Sequence, residues 1–246
     1  MGLNEKELSA LLTKIFAKNG LSSLLSHERT EAFVRLTEYM LAENEKYNLT
    51  AITEPEKIIL NHYADCAVLA KELPKGAKVI DVGCGAGFPT LPVAILRPDV
   101  SITALDSTAK RTAYVDGAAM LLSLSNVATV TARAEDAARL GEYREVFDVA
   151  TARAVAEMRI LAELCLPFVK LRGKMIAMKG KNAEFELLAA KRAIATLGGR
   201  APSVKTVSLT GESDCELSHP LIFIEKATRT PDKYPRPYAQ ISKKPL

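Results

Sequence analysis

The reading of this chain turns on VIDVGCGAGFPTLPVAIL, residues 79–96. An apolar strand carrying Asp81 runs into a turn through Gly83, Gly85 and Gly87, and an apolar helical pattern follows at once. Glycines let a backbone adopt positive φ and approach a ligand closely, and open α/β sheets bind ligands at the carboxyl ends of their strands. The turn is therefore predicted to hold a cofactor. A dinucleotide fingerprint would read GxGxxG, with its third glycine packing the helix against the strand; Phe88 stands at that position here. A nicotinamide-dependent dehydrogenase is thus one rival reading, and Phe88 speaks against it.

Outward from the turn, short β-rich runs alternate with helical stretches, which predicts a parallel sheet with crossover helices. Strands are expected at 78–82, 101–105, 128–131, 147–151 and 174–178. Two later runs, 204–209 and 221–225, are joined by a polar turn and fit an antiparallel pairing at the sheet edge. A second acid, Asp106, ends the next strand, where a carboxylate can accept both ribose hydroxyls of an adenosine; a helix N-cap is the plain alternative, with Ser107 an equal candidate. After the third strand come Ala134 and Glu135, and the fourth leads to Arg153, which either faces the pocket or pairs with an acid in the core. Upstream, apolar spacing from Glu5 to about Glu45 gives a helical layer, broken near Asn19 and Gly20. The expected organisation is a helical extension over 1–60, a cofactor-binding domain over 61–228 and a basic tail over 229–246.

The chain of 246 residues is 48% apolar, enough for a sizeable core, and no apolar run approaches the ~20 residues of a membrane span. No membrane association and no export are read from it. Cys66, Cys84, Cys165 and Cys215 lie far apart without a CxxC pair, which suits isolated thiols of a cytoplasmic protein better than disulfides, and no metal site is expected. Cys165 reads as a core thiol rather than a nucleophile. The net charge of +4 is unevenly spread: residues 226–246 hold six of the 33 basic residues and one of the 29 acids, so the remainder carries a net −1. That segment, rich in Pro and Tyr, is expected to form no regular helix and to offer cations and aromatic faces to a polyanion, or else to be a solubilising tail.

The GxGxG turn after an acid is similar to the first motif of class I methyltransferases, where the acid helps hold the amino-acid end of S-adenosylmethionine. Neither a Pro-Pro-aromatic motif nor a Pro-Cys nucleophile follows the fourth strand, which reads Thr151-Ala152-Arg153-Ala154. An acceptor with a free lone pair is left, such as a purine ring nitrogen, for which positioning and charge stabilisation suffice. Taken together, NLTAIT, His62-x-x-Asp65, DVGCGAGFPTLP, LDSTAKR, ARAED, TARA, MKG and TPDKYPRPYAQISKKPL resemble, in order, the RsmG (GidB) family of 16S ribosomal RNA guanine-N7 methyltransferases. The resemblance implies a class I methyltransferase sheet of seven strands, mostly parallel with one antiparallel edge strand. It implies S-adenosyl-L-methionine as cofactor, with the 16S RNA of the 30S subunit as partner, guanine 527 as target and no obligate protein partner.

Cofactor contacts are then expected at Asp81, Gly83, Gly85, Gly87, Phe88, Asp106, Ser107, Ala134, Glu135 and Arg153. Arg153, His62 and Asp65 are positioning candidates, although a His-Asp pair tying the helical layer to the sheet is an equal reading. Lys110, Arg111, Arg229, Lys233, Tyr234, Arg236, Lys243 and Lys244 are the RNA-binding candidates. The chain departs from the family pattern at Cys66, Thr90 and Thr151, where Ser, Gly and Ser are common; Thr90 requires a loop that avoids positive φ there. Two further rivals are a small-molecule methyltransferase, which would need no basic tail, and a non-catalytic RNA-binding module on the same fold.

Overall fold

The computed structural model describes residues 4–180, 182–213 and 215–246. The seven strands form as β1 (Lys78–Val82), β2 (Ser101–Asp106), β3 (Val127–Thr131), β4 (Phe147–Arg153), β5 (Val169–Met178), β6 (Ser203–Thr210) and β7 (Glu216–Glu225). Their spatial order is β3-β2-β1-β4-β5-β7-β6, and β7 alone runs against its neighbours, with β6 beyond it at the edge. The last hairpin is longer than its apolar residues announce. Residues 216–220 pair only with β6 and are mixed, with Glu216, Ser218 and His219 polar, so the continuous apolar signal begins at Leu221, where pairing with β5 begins.

Before the sheet come α1 (Glu5–Lys18), α2 (His27–Tyr47), α3 (Pro55–Ile58) and α4 (Asp65–Glu72). The α1 start is a reciprocal capping box between Asn4 and Glu7, and Ser26 caps α2. Asn19 ends α1 and Gly20 takes φ +65°, so the break falls where the sequence places it. Between α3 and α4 the chain stays helical but widens into a π turn over Ile59–Ala64, which runs across position 60. Such turns re-aim side chains and often mark functional segments. The crossover helices are α5 (Thr90–Leu96), α6 (Ala109–Leu121), α7 (Ala134–Ala137), α8 (Met158–Cys165) and α9 (Ala183–Thr196). Among the described residues no helix is long and apolar enough to cross a membrane.

Strand residues alternate between two cores, as the period of two requires. Val79, Ile102 and Val149 join Phe33, Met40 and Tyr63 of the N-terminal helices, together with Leu91 and Val115 of α5 and α6. Ile80, Ala150 and Met175 face the other way, against Leu161 of α8 and Ala190 of α9. The N-terminal layer also reaches the far hairpin, where Asn19 exchanges two hydrogen bonds with the Thr210 backbone.

The tail corrects its expectation in two ways. It does contain a short helix, α10 (Tyr238–Lys243), entered from Pro237, because a proline at a helix start sacrifices no helical hydrogen bond. It also docks on the second core: Ile241 is fully buried, a contribution of about 2 kcal/mol, and Tyr234 is 7% exposed. The Arg144 guanidinium donates to the carbonyls of Tyr234 and Thr230, each at 2.9 Å. Arg236, expected to face RNA, instead donates to Glu163 at 2.9 and 2.6 Å, and Glu163 has no exposed surface. A buried carboxylate needs such a partner, which is why this arginine turns inward.

Lys226, counted with the basic tail by sequence, is likewise fully buried. Its Nζ donates to Leu166 O and Thr230 Oγ1, both at 2.6 Å, and lies 3.2 Å from Glu145 Oε1. Burial pushes its pKa down to about 8 despite Glu145. A buried ion pair adds little over an apolar replacement, whereas breaking one leaves an uncompensated charge. Glu145→Ala should therefore cost about 3 kcal/mol in urea unfolding, and the double replacement of Glu145→Leu with Lys226→Met should lie within about 1 kcal/mol of the parent.

Candidate functional site

The turn after β1 is shaped by left-handed backbone at Gly83 (φ 77°), Gly85 (54°) and Gly87 (79°). Its amides are spent on the neighbouring strand: Gly83 and Cys84 both donate to Leu105 O, at 2.7 and 3.0 Å, and Gly85 donates to Asp106 Oδ2 at 3.0 Å. The other Asp106 oxygen accepts from Thr108 N at 2.9 Å, which leaves lone pairs on both oxygens free for further donors. Side chains at Gly83 and Gly87 would also collide, with Val155 at 2.8 Å and Leu91 at 2.5 Å. Thr90 is not among the residues with positive φ, as its β-branched side chain requires, and its hydroxyl donates to Asp81 Oδ2 at 2.6 Å. Asp81 is fully buried beneath the turn with its Oδ1 unpartnered, and burial pushes its pKa up to about 6.

Two clefts meet at this turn, sharing Gly83, Arg111 and Ala154. The first, about 310 Å³, runs past Asp106 and Ser107 to Ala134 and Glu135. The second is walled by Gly85, Phe88, His62 and Arg153. Asp81, Gly87 and Asp65 do not line either one; they shape the site from behind.

At the second cleft Phe88, in place of the dinucleotide glycine, serves as a platform. The His62 ring stacks on it at 4.2 Å and 14°, and the Arg153 guanidinium carbon lies 5.3 Å from its centroid. Arg153 Nη2 donates to His62 Nδ1 at 2.9 Å, Nη1 donates to Asn61 O at 2.8 Å, and Asp65 Oδ2 is 3.5 Å from Nη1. Arg153 therefore both lines the cleft and lies beside a buried acid, the two placements that its sequence position left open. His62 and Asp65 do not pair with each other; both converge on Arg153, because the π turn aims them at the end of β4.

An arginine only donates, so His62 Nδ1 must accept and Nε2 carries the proton, aimed at Thr50 Oγ1 3.3 Å away. Burial first, and then the Arg153 charge, push the His62 pKa down to about 3. His219 on β7, which sequence reasoning missed, is of the opposite kind. Its Nε2 meets Asp65 Oδ1 at 2.6 Å and its Nδ1 meets Pro220 O at 3.2 Å, two acceptors that call for the doubly protonated ring. Burial opposes that charge, but the bond to Asp65 outweighs it and the pKa is raised. No local signal announces His219, which is 154 residues from its partner.

Of the RNA-binding candidates, Lys110, Arg229, Lys233, Lys243 and Lys244 are exposed, and Arg111 is half-exposed with Nη1 3.5 Å from Asp106 Oδ2. Tyr234 and Arg236 are not available, being committed to tail docking.

This strand order with a glycine turn after β1 is the fold of class I S-adenosylmethionine-dependent methyltransferases. Among solved structures, an O-methyltransferase from Bacillus cereus in complex with SAH superposes with a TM-score of 0.53 at 16% identity, over 78% of this chain and 90% of that one. A SAM-dependent O-methyltransferase from Thermotoga maritima gives 0.53 at 14% identity, over 77% and 72%. Sequence comparison narrows the class. Residues 29–214 match the GidB family, rRNA small subunit methyltransferase G. The ribosomal RNA small subunit methyltransferase G of Clostridium perfringens strain SM101 is 45% identical over 90% of this chain and 92% of its own length. That of Lactobacillus johnsonii is 41% identical over 96% and 98%. The chain belongs to the ribosomal RNA small subunit methyltransferase G family.

The protonation scheme is open to direct measurement. Nitrogen-15 NMR should show His62 as the Nε2–H tautomer with no titration between pH 5 and 8. Its lowered folded pKa means that the unfolded chain binds the extra proton. Its contribution is therefore complete above the ordinary value near 6.5 and is lost as pH falls from there toward 3, so acid weakens the fold through this residue.

Proposed function

We propose that this S-adenosylmethionine-dependent ribosomal RNA methyltransferase modifies N7 of guanine 527 in 16S ribosomal RNA, acting in the cytoplasm on the RNA or on the 30S subunit. Family membership carries methyl transfer to small-subunit RNA. The observation that supports the cofactor assignment is the pair of joined clefts, one holding an acid at a strand end and the other holding a fixed cation over an aromatic platform.

The residues present fit the cofactor. Asp106 has acceptor capacity for vicinal ribose hydroxyls, and Ser107, Ala134 and Glu135 continue the same cleft. Gly83, Gly85 and Phe88 form the turn beneath the amino-acid end, and a side chain at Gly85 would meet only Gly83 O at 3.8 Å, so the backbone is open there. Asp81 acts from below the turn, through its charge and through Thr90. When bound, S-adenosylmethionine supplies an electrophilic methyl group on a sulfonium.

An acceptor such as guanine N7 has its lone pair free and needs no proton removed. The site agrees: the basic lone pair of His62 is already committed to Arg153, so the imidazole is not free as a general base. The work of Arg153 is to hold position, since three partners fix its guanidinium at the cleft wall. Lys110, Arg111, Arg229, Lys233, Lys243 and Lys244 are left to meet phosphate.

Mapping methyl transfer from labelled S-adenosylmethionine, with deproteinised 16S RNA and 30S subunits offered in parallel, tests this reading. Label is expected at N7 of one guanine in the 530 loop, and Asp106→Ala should abolish it. Cofactor binding without label in either substrate would refute the assignment. Lys243→Ala with Lys244→Ala should weaken RNA binding without changing the target base, and should reduce the salt dependence by roughly one phosphate contact per lysine.

A further inference from the structure

The cleft that runs from Asp106 to Glu135 is also lined by a residue from far outside the glycine turn and the strand ends: Tyr238, the first residue of α10. We propose that Tyr238 is a cofactor-binding residue, its ring forming the wall against which the adenine of S-adenosylmethionine or S-adenosylhomocysteine rests. The tail would then be a cofactor element as well as a basic one. The proposal rests on the cofactor reading above.

Three observations carry it. Tyr238 lines the cleft that holds the ribose-accepting carboxylate, together with Ala134 and Glu135 of the segment that follows β3. The cleft pairs polar side chains, among them Ser107 and Glu135, with apolar ones, Ala134, Val155 and Leu164, a mixture that suits a heteroaromatic base with a flat face and a polar edge. The residue is also held in place on both sides. Two positions before it, Arg236 is tied through its side chain and its backbone N–H to buried Glu163, whose neighbour Leu164 is itself part of the cleft wall. Three positions after it, Ile241 is fully buried. A free tail would not keep an aromatic ring at a fixed place; this one is clamped, yet Tyr238 is left 41% exposed. A clamped, partly exposed aromatic ring in a cleft wall offers a stacking surface to a planar base.

Calorimetric titration of the full chain with S-adenosylhomocysteine and with adenosine tests the assignment. Tyr238→Ala should weaken both ligands about fivefold or more, Tyr238→Phe should stay within about twofold of the parent, and the unliganded melting temperature should be unchanged in both. The chain contains no tryptophan, so Tyr238→Trp installs a single reporter whose emission should change on saturation with S-adenosylhomocysteine. That arm decides the matter if the alanine variant proves unstable. Parent-like affinity in Tyr238→Ala, loss for S-adenosylhomocysteine but not for adenosine, or unchanged emission in Tyr238→Trp would each overturn the proposal. If the parent chain binds neither ligand, the cofactor reading fails and this proposal falls with it.

Discussion

The site depends on a geometric constraint at the end of β1: the chain must leave the strand, cross above β2 and enter a helix within a few residues. Left-handed backbone at alternate positions is what makes that possible, and glycine accepts it at no steric cost. The same conformation turns successive amides toward the neighbouring strand, so Leu105 O and Asp106 Oδ2 receive them. Turn and acid thereby fix each other. The collisions that a side chain would meet at Gly83 and Gly87 show that the packing around the turn has closed in on the space the glycines leave. The parallel strands then set the distance between Asp106, Ala134 and Arg153, because each lies at or just beyond the carboxyl end of its own strand.

A second principle governs the other half of the site. Charge taken out of water must be matched, and here it is matched in series. His219, Asp65 and Arg153 alternate in sign, and the series ends on a neutral His62. The two histidines show how environment decides protonation. One is flanked by a carboxylate and a carbonyl and is drawn toward the charged form; the other faces a guanidinium in a buried setting and is driven from it. The π turn is what allows one helical segment to send His62 and Asp65 to the same arginine.

The tail is a lesson in reading composition. Its charge excess over the remainder of the chain is real, but Lys226, Tyr234 and Arg236 are consumed in fixing it to the second core. Charge counted along a sequence does not distinguish a cation that faces solvent from one that neutralises a buried acid, since Glu163 and Glu145 lie far away in the chain and close in space.

The sequence by itself determined the fold class, the strand positions in the parallel part of the sheet and the glycine turn with Asp81 and Asp106, because periodicity, glycine chemistry and strand-end acids are local properties. Legible too, through the family resemblance, were His62, Asp65 and Arg153 as individuals. Only the tertiary structure decided that Arg153 joins them, that His219 completes the series, that Thr90 serves Asp81, and that the tail folds back so that Tyr238 reaches the cleft. Each of these is a contact between segments far apart in the chain. Burial and desolvation choose such partners, and neither is encoded in any local spacing of residues.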